Sequence, residues 1–400
     1  MELRNRIGWL PANPAPLYII FACSLVGVMG VSLISPVLPA LRPIFGVSDS
    51  QVGLLITAYT LPGVLLGPAV GIIADRFGRK RTVIPLLFLF GIAGAGIVGA
   101  SSFRQVLVLR VLQGVGGSAL ITLSVALIGD LYAPQERAAL LGVNGSMIST
   151  GAAGYPLLGG LLAGLRWSAP FAFFGVGVGV GVAALVILPT SDRDNRSSRR
   201  YLSALASELR TPAVLGWLLA VFVALFLFYG AVLTSVPLVL SDGFEFSPTR
   251  IGPLLSLVAL SGGVTSSQYG RLAGRYSRRR LLAVGFGAYA GGLSGLWMAQ
   301  SAAVVGVALS VFGIGNAIII TTVDSGLIEA VADDLRAGIL GVRTGVFRLG
   351  QTLGPVGFTA AAETVETTTV AGYRISFLYA GIAAGICAAY ILLSKTLLST

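Results

Sequence analysis

The chain contains twelve apolar segments, each about as long as a bilayer is thick, and this pattern constrains its fold more than any other feature. A helix of about 20 apolar residues is needed to cross the hydrocarbon core of a membrane. We therefore predict an all-α membrane protein with twelve transmembrane helices, named spans 1 to 12. Their predicted ranges are 17–40, 51–73, 82–100, 105–129, 138–164, 168–189, 213–240, 250–270, 281–300, 303–328, 337–362 and 374–394.

The composition excludes most soluble classes of protein. Hydrophobic residues make up 55% of the 400 residues and charged residues 11%, whereas charged residues make up about 25% of a typical soluble domain. The sequence has no histidine, and its two cysteines, Cys23 and Cys387, lie far apart in apolar segments. It also lacks the G-x-x-x-x-G-K-[ST] loop of ATP-driven pumps. We expect no enzymatic activity, no cofactor and no metal site.

The basic residues predict how the chain crosses the membrane. With the N-terminus inside, 19 of the 27 Lys and Arg residues lie in inner segments, five in outer segments and three within spans. Cytoplasmic loops carry an excess of Lys and Arg. We therefore expect a multi-pass protein of the cell membrane with both termini in the cytoplasm. The excess of basic residues, 27 against 16 acidic ones, then orients the chain and contacts anionic lipid, so we expect no nucleic-acid partner.

The two halves of the chain carry the same pattern at a constant offset of 199 residues. This register holds without a gap over a hundred residues, which predicts two parallel six-helix halves, 1–189 and 213–400, joined by a polar cytoplasmic linker, 190–212. Transporters built from such halves hold their substrate at the midplane between them. The matched pairs include Gly114 and Gly313, Gly116 and Gly315, Pro156 and Pro355, and the basic triplets 79–81 and 278–280.

Three motifs resemble those of a known transporter family. Residues 71–81 read G-I-I-A-D-R-F-G-R-K-R, which is similar to the signature G-x-x-x-D-R-x-G-R-[RK] of the major facilitator superfamily. Span 4 resembles the R-x-x-Q-G-x-G motif of its proton-coupled members at Arg110, Gln113, Gly114 and Gly116. Span 5 is similar to the G-x-x-x-G-P-x-x-G-G motif of its drug exporters, with Tyr155 where that motif has glycine. The resemblance covers essentially the whole chain and is nearest to the twelve-helix drug:proton antiporter branch.

The resemblance implies a secondary active transporter that works by alternating access. We expect a monomer that exports small lipophilic or amphiphilic compounds, with protons as the coupling ion. Two alternatives remain open. The chain is a uniporter or symporter of a small organic anion or sugar, or it is a membrane receptor that does not transport.

The motif after span 2 predicts a cytoplasmic gate. In the superfamily its carboxylate docks against the N-terminus of span 11, and the resemblance gives Asp75 that role. Gly274 stands at the matching position of the second half, so the gate is expected to be asymmetric. Ordinary solvated salt bridges are the alternative for the outlying charges. The predicted members of this gate network are Asp75, Arg76, Arg79, Lys80, Asp130, Glu136 and Arg137.

Ionisable residues within spans are costly to bury, so each is a functional candidate. We predict that Arg110, Asp324 and Arg343 couple transport to protons. As alternatives, Arg110 extends to the outer membrane interface, and Asp324 forms a purely structural ion pair with Arg343. No acidic residue lies in span 1 or in the middle of span 4, which counts against a standard proton-coupled exporter.

Spans 1, 4, 7 and 10 face the substrate cavity by analogy with the superfamily. The predicted cavity is mainly apolar with few polar groups, which suits lipophilic compounds, while an unpaired Arg348 would favour an anionic one. Its predicted lining residues are Phe222, Phe226, Tyr229, Asn316, Arg348 and Gln351.

Spans 5 and 11 carry glycine and proline at matched positions. Proline removes a backbone hydrogen bond and glycine permits close packing, so we predict kinks there that help the two halves to rock. The predicted kink residues are Gly151, Tyr155, Pro156, Gly354 and Pro355.

Overall fold

The computed structural model describes residues 14–189, 209, 211–332, 335–365 and 369–393. Within these ranges the chain is helical and contains no strand, which confirms the predicted all-α fold. Ten of the described helices are long and apolar enough to cross a membrane. Spans 8 and 11 complete the set of twelve with 26 and 30 residues. Most of the predicted linker, 190–208 and residue 210, lies outside the described residues.

The first six spans include several interrupted helices. Span 1 contains a 3-10 turn, and spans 4 and 6 each consist of two helices separated by two residues. The helices are Ala15–Ser32, Ser35–Val37 and Leu38–Phe45 in span 1; Asp49–Phe77 in span 2; Arg79–Gly96 and Ile97–Gly99 in span 3; Phe103–Gly117 and Leu120–Leu131 in span 4; Pro134–Leu165 in span 5; and Ala169–Phe173 and Val176–Ile187 in span 6.

The last six spans are continuous except for span 7, which contains a π-helix. Prolines do not end the other helices, since spans 5 and 11 continue through Pro156 and Pro355; kinks at these positions stay a prediction. The helices are Pro212–Leu227, the π-helix Phe228–Ser235 and Val236–Phe244 in span 7; Pro248–Ala273 in span 8; Arg278–Met298 in span 9; Ala302–Ala330 in span 10; Arg336–Val365 in span 11; and Thr369–Leu393 in span 12.

The interruptions of spans 1 and 7 lie at matched positions. The offset of 199 residues places Ser35, which begins the 3-10 turn, on Thr234 in the π-helix. The Ser35 hydroxyl donates a hydrogen bond to the carbonyl oxygen of Leu233, so the two interruptions also touch. Short 3-10 and π segments within long helices often mark hinges or functional sites.

The chain forms two compact units that do not follow the two halves of the repeat. The first unit contains residues 1–32, 58–152 and 168–196, and the second contains residues 33–57, 153–167 and 197–400. The second unit therefore includes the ends of spans 1, 2 and 5 that the positive-inside pattern places outside. The predicted division into six-helix halves and a linker stays a prediction.

Glycine contacts within each unit reproduce the sequence repeat. A Cβ built on Gly114 would lie 2.1 Å from the carbonyl oxygen of Tyr59, and one on Gly313 would lie 2.3 Å from that of Val258. The two carbonyl groups are themselves 199 residues apart. The same offset relates a second pair of close contacts. Gly116 packs against the carbonyl oxygen of Leu86, and Gly315 packs against that of Gly285. Because no larger side chain fits at these close helix contacts, the glycine spacing encodes the packing of spans 2, 3 and 4 and of spans 8, 9 and 10.

Candidate transport site and gates

A polar network joins spans 7 and 11 inside the second unit. Gln351, which is 3% exposed, donates a hydrogen bond from Nε2 to the Tyr229 hydroxyl. Its Oε1 accepts a hydrogen bond from Nη1 of Arg348 at 3.1 Å. Arg348 therefore has a neutral hydrogen-bond partner, and its preference for an anionic compound stays a prediction. The i to i+3 spacing of Arg348 and Gln351 on one helix face makes this contact possible.

Glycines allow spans 7 and 11 to approach closely enough for this network. A Cβ on Gly350 would lie 2.7 Å from the carbonyl oxygen of Phe222, and one on Gly354 would lie 2.4 Å from that of Phe226. A Cβ built on Gly230, within the π-helix, would lie 2.5 Å from the carbonyl oxygen of Gly354. Gly354, a predicted kink residue, thus has a packing role in the structure.

Aromatic side chains form a second part of this site. The rings of Phe222 and Phe226 lie 6.1 Å apart. The Phe312 ring stacks on Tyr289 at 3.8 Å and on Phe228 at 6.2 Å between centroids. Phe222, Phe226 and Phe228 are half-buried, whereas Phe312 and Tyr289 are fully buried and pack in the hydrophobic core of the second unit.

Asn316 is held by a residue that sequence reasoning missed. Tyr289 is fully buried, and its hydroxyl donates a hydrogen bond to Asn316 Oδ1 at 2.8 Å. The matching residue of the first half is Phe90. The one signal in the sequence for this contact was the hydroxyl that Tyr289 adds at a position where the first half has phenylalanine. A buried tyrosine hydroxyl needs a polar partner.

Asp324 and Arg343 form the ion pair that was predicted as one alternative. Nε of Arg343 lies 2.7 Å from Oδ1 of Asp324, and Nη2 donates a hydrogen bond to Oδ2 at 3.2 Å. The carboxylate side chain is 39% exposed and the arginine 14%. The Arg343 guanidinium also lies 5.0 Å from the centre of the Phe347 ring. A role in proton coupling stays a prediction.

Arg110 is buried in the first unit and does not extend to the membrane interface. Its side chain is 0% exposed, donates to Gln113 Oε1 and to the carbonyl oxygen of Gly30 at 2.8 Å each, and lies 4.6 Å from the centre of the Tyr59 ring. These three contacts pair a buried cation with neutral groups. The matching residues of the second half, Leu309, Phe312 and Val258, are apolar, so this polar cluster belongs to the first unit alone among the described residues.

Part of the predicted gate network is present. Arg79 lies 2.9 Å from Asp75 and 3.1 Å from Asp130. The second half repeats the latter pair, because Arg278 and Glu329 form an ion pair at the same offset of 199 residues. The Arg79–Asp130 pair is therefore a repeated feature of the fold, whereas Asp75, which is 53% exposed, has no carboxylate counterpart at Gly274.

The remaining predicted members contact helix ends instead of joining one network. Lys80 donates to the carbonyl oxygen of Leu188 at the end of span 6, and its counterpart Arg279 donates to that of Ile391 in span 12 at 2.6 Å. Arg137 donates to the carbonyl oxygen of Tyr132 at 2.8 Å. Cations stabilise the unpaired carbonyl groups at helix C-termini, which explains these positions. Glu136 accepts from the amide of Ala133, and Arg76 lies 5.8 Å from the Phe77 ring.

Sequence reasoning also missed an ion cluster in the second unit. Nη1 of Arg42 lies 2.6 Å from Oδ1 of Asp49 and 2.8 Å from Oδ2 of Asp242. The three residues lie between predicted spans. Arg42 was counted among the basic residues that predict the orientation of the chain, and no other role was predicted for it. No local pattern indicated that residues 200 positions apart would meet.

The comparison with protein families matches the major facilitator superfamily model over residues 20–355. The bacillibactin exporter of Bacillus subtilis is 30% identical over 352 residues, which cover 84% of this chain and 87% of that protein. Multidrug resistance protein 2 of the same organism is 26% identical over 64% of this chain and 66% of its own length. The quinolone resistance protein NorA of Staphylococcus aureus is 26% identical over 59% and 60%.

Solved structures show the same fold at low sequence identity. A bacterial homologue of the human lysosomal transporter Spinster has a TM-score of 0.80 and 18% identity over 96% of this chain and 98% of its own. The nucleoside transporter NupG has a TM-score of 0.82 and 11% identity over 94% and 99%. The family match spans most of the chain, and the helices and repeated contacts agree with it, so this multi-pass membrane protein belongs to the major facilitator superfamily of transporters.

Proposed function

We propose that this transporter exports small amphiphilic molecules across the cell membrane by alternating access, driven by proton entry. The observation that carries the proposal is the Asp324–Arg343 ion pair, because its carboxylate lies within span 10 and is 39% exposed. A carboxylate that is partly accessible and paired inside a membrane span is suited to exchange its cation partner for a proton. The similarity to an exporter and to a multidrug resistance protein supports export of small molecules.

The substrate site that we propose combines an apolar and a polar part. Phe222 and Phe226 offer aromatic surface, and the Tyr229–Gln351–Arg348 network lies one helical turn away along spans 7 and 11. An amphiphile would place its apolar body on the rings and its polar group on the network. Few polar groups in an apolar cavity fix orientation without demanding one shape.

The function is tested in sealed proteoliposomes that contain a pH-sensitive dye. Ethidium, as a cationic probe, and anilinonaphthalene sulfonate, as an anionic one, are added to either side, and proton flux is measured. We expect at least one probe to drive proton movement in the direction opposite to its own. Movement of the probe without movement of protons would contradict proton coupling, while proton movement in the same direction would indicate a symporter.

A transporter of small organic anions is the second candidate, and Arg348 favours it. We expect the anionic probe to bind more tightly than the cationic one and Arg348→Gln to reduce this preference by about tenfold, because a hydrogen bond to a charged group contributes about 1.5–3 kcal/mol. Binding is measured with both probes on the purified protein. Arg166→Gln, at an exposed position, is the control. Tighter binding of ethidium would show that the Arg348 charge is neutralised by its neighbours.

We also propose that Asp75 holds the cytoplasmic side closed by docking at the N-terminus of span 11. A carboxylate at a helix N-terminus contributes about 0.3–1 kcal/mol when exposed and up to about 2 kcal/mol when partly buried. Asp75→Asn should therefore shift the populations of the gate states several-fold. Distances between spin labels on the cytoplasmic ends of spans 2 and 11 measure the shift.

Two control variants separate this gate from local ion pairing. Asp130→Asn removes the other partner of Arg79 and should leave the distances almost unchanged. Gly274→Asp adds a carboxylate at the matched position of the second half and should also have little effect. An unchanged distance distribution in Asp75→Asn would show that Asp75 does no more than pair with Arg79 at the start of span 3.

A further inference from the structure

The ends of spans 1 and 7 lie side by side in the second unit. The Ser35 hydroxyl donates a hydrogen bond to the carbonyl oxygen of Leu233, and about two helical turns further along span 1, Arg42 pairs with Asp242. The basic residues of the sequence place both ends outside. The two contacts therefore join spans 1 and 7 at the face where an outer gate opens.

Spans 1 and 7 end in the same way, and their last turns carry the two charges. The residues that end them, Gly46 and Glu245, have left-handed backbones with φ of 63° and 53° and lie 199 positions apart. Arg42 and Asp242 precede them by four and three residues. A cation stabilises the negative end of a helix, whereas a carboxylate is unfavourable there. The position of Asp242 is therefore costly without a cation beside it, and Arg42 supplies that cation.

Arg42 holds the Asp242 carboxylate with both of its terminal nitrogens. Nη2 lies 2.5 Å from Oδ1, and Nη1 donates to Oδ2 at 2.8 Å. Two-point pairs of this kind are strong and fix the orientation of both groups. The arginine is 20% exposed and the carboxylate 29%, and Arg42 lines a cavity of about 740 Å³. Because water reaches the pair, it can separate without leaving a dry, unpaired charge.

Asp49 holds the same arginine from its own connection. Its Oδ1 lies 2.6 Å from Nη1 of Arg42, and its side chain is 5% exposed. Asp49 begins span 2, so this contact stays within the connection between spans 1 and 2. Asp49 is thus a positioning residue that keeps the guanidinium in place. Among the described residues, the ion pair that links Arg42 to span 7 is the one with Asp242.

We propose that the Arg42–Asp242 pair is a latch that holds the ends of spans 1 and 7 together and separates when the outer side opens. When it separates, Arg42 keeps Asp49 as a partner and Asp242 is left to water, so the change is readily reversible. The latch goes beyond the proposed export and beyond the gate at Asp75, which acts on the cytoplasmic side. It rests on alternating access only in that the outer side must open.

Close helix packing shares the closing of this side with the latch. A Cβ on Gly159 would lie 2.0 Å from the carbonyl oxygen of Leu33, and one on Gly252 would lie 2.3 Å from that of Pro156. The outer ends of spans 1, 5 and 8 are therefore closely packed as well. Loss of the latch should shift the populations several-fold and should not open every molecule.

Spin-label distances test the latch without any substrate. Labels are placed at Ile44→Cys near the end of span 1 and at Ser247→Cys just after span 7, both exposed positions, in a chain whose native cysteines are replaced by alanine. Asp242→Asn removes the charge and keeps the size of the side chain. It should raise the ratio of long to short distances about fivefold, the upper range for an ion pair that water reaches. Asp242→Glu, which keeps the charge, should stay nearer to the native ratio.

Two variants that each remove one negative charge near Arg42 are the matched controls. Asp49→Asn takes a carboxylate from the same arginine but leaves the pair with Asp242, so the distances should stay close to native. Glu245→Gln removes an exposed charge that lines the same cavity and, among the described residues, makes no ion pair with Arg42. If either control opens the outer side as far as Asp242→Asn does, the cluster acts through its total charge and the latch is overturned.

A final comparison shows whether Asp242 acts through Arg42. In a chain with both Arg42→Gln and Asp49→Asn, the buried carboxylate is not left without its cation, and adding Asp242→Asn should change nothing. A further rise in long distances there, or native distances in Asp242→Asn alone, would overturn the proposal. Distances that shift as expected in a chain that moves neither probe in proteoliposomes would contradict the proposed export and leave the latch standing.

Discussion

Replacing Arg110 by glutamine should lower proton-driven transport by at least about tenfold, because each hydrogen bond to a charged group contributes about 1.5–3 kcal/mol. The side chain is 0% exposed and holds the carbonyl oxygen of Gly30 and the amide oxygen of Gln113. Glutamine is too short to hold both acceptors and carries no charge over the Tyr59 ring. The rate of substrate-driven proton flux in proteoliposomes measures the effect.

Substrate exchange between two equal pools separates coupling from binding at Arg110. Exchange needs no net proton movement, so it should fall much less than coupled transport. Arg104→Gln changes an exposed arginine of the same span and should leave both rates near native. Equal losses of exchange and coupled transport in Arg110→Gln would place Arg110 in folding or binding instead.

Asp324→Asn should abolish the pH dependence of transport and lower proton-driven flux more than tenfold, if its carboxylate exchanges Arg343 for a proton during the cycle. A purely structural pair behaves differently. Removing one partner of a buried ion pair costs about 3–5 kcal/mol, and less for a carboxylate that is 39% exposed. Flux at several pH values and the thermal unfolding temperature in detergent distinguish the two roles.

The double variant Asp324→Asn with Arg343→Gln completes this test. If the pair is structural, the double variant should regain stability and proton-driven flux, because neither charge is left without its partner. If Asp324 carries a proton, stability and exchange should recover while proton-driven flux stays lost. Native flux at every pH in Asp324→Asn alone would show that the carboxylate only packs against span 11.

The sequence predicted the features that depend on local spacing. Apolar length predicted the spans, since the cost of polar groups in lipid acts on each segment separately. The spacing of the glycines in spans 4 and 10 predicted the repeat. The structure gives the reason for this spacing, because each glycine packs against a backbone carbonyl group whose counterpart lies 199 residues away. The pairing of Arg79 with Asp130 and of Arg278 with Glu329 was open to the same reasoning.

Contacts between distant segments lay outside what spacing can predict. Arg42 and Asp242 are 200 residues apart. The offset of 199 residues matches them with the uncharged residues Ser241 and Pro43, so neither local spacing nor the repeat indicates an ion pair. The Arg348–Gln351 contact is local, and the spacing of three residues already places both side chains on one face of span 11. Tyr289 differs from its counterpart Phe90 only by its hydroxyl group. Only the burial of that hydroxyl in the structure shows that it needs a partner, which is Asn316.

The bond between Lys80 and the end of span 6 makes this chain convenient for chemical labelling. The sequence contains two lysines, Lys80 and Lys395, and arginine supplies the rest of its basic side chains. The half-buried Lys80 amine is engaged by the carbonyl oxygen of Leu188, and an engaged amine reacts slowly with acylating reagents. The acylation rate of Lys80, followed by mass spectrometry of intact membranes, would report directly when the start of span 3 separates from the end of span 6, without any introduced probe.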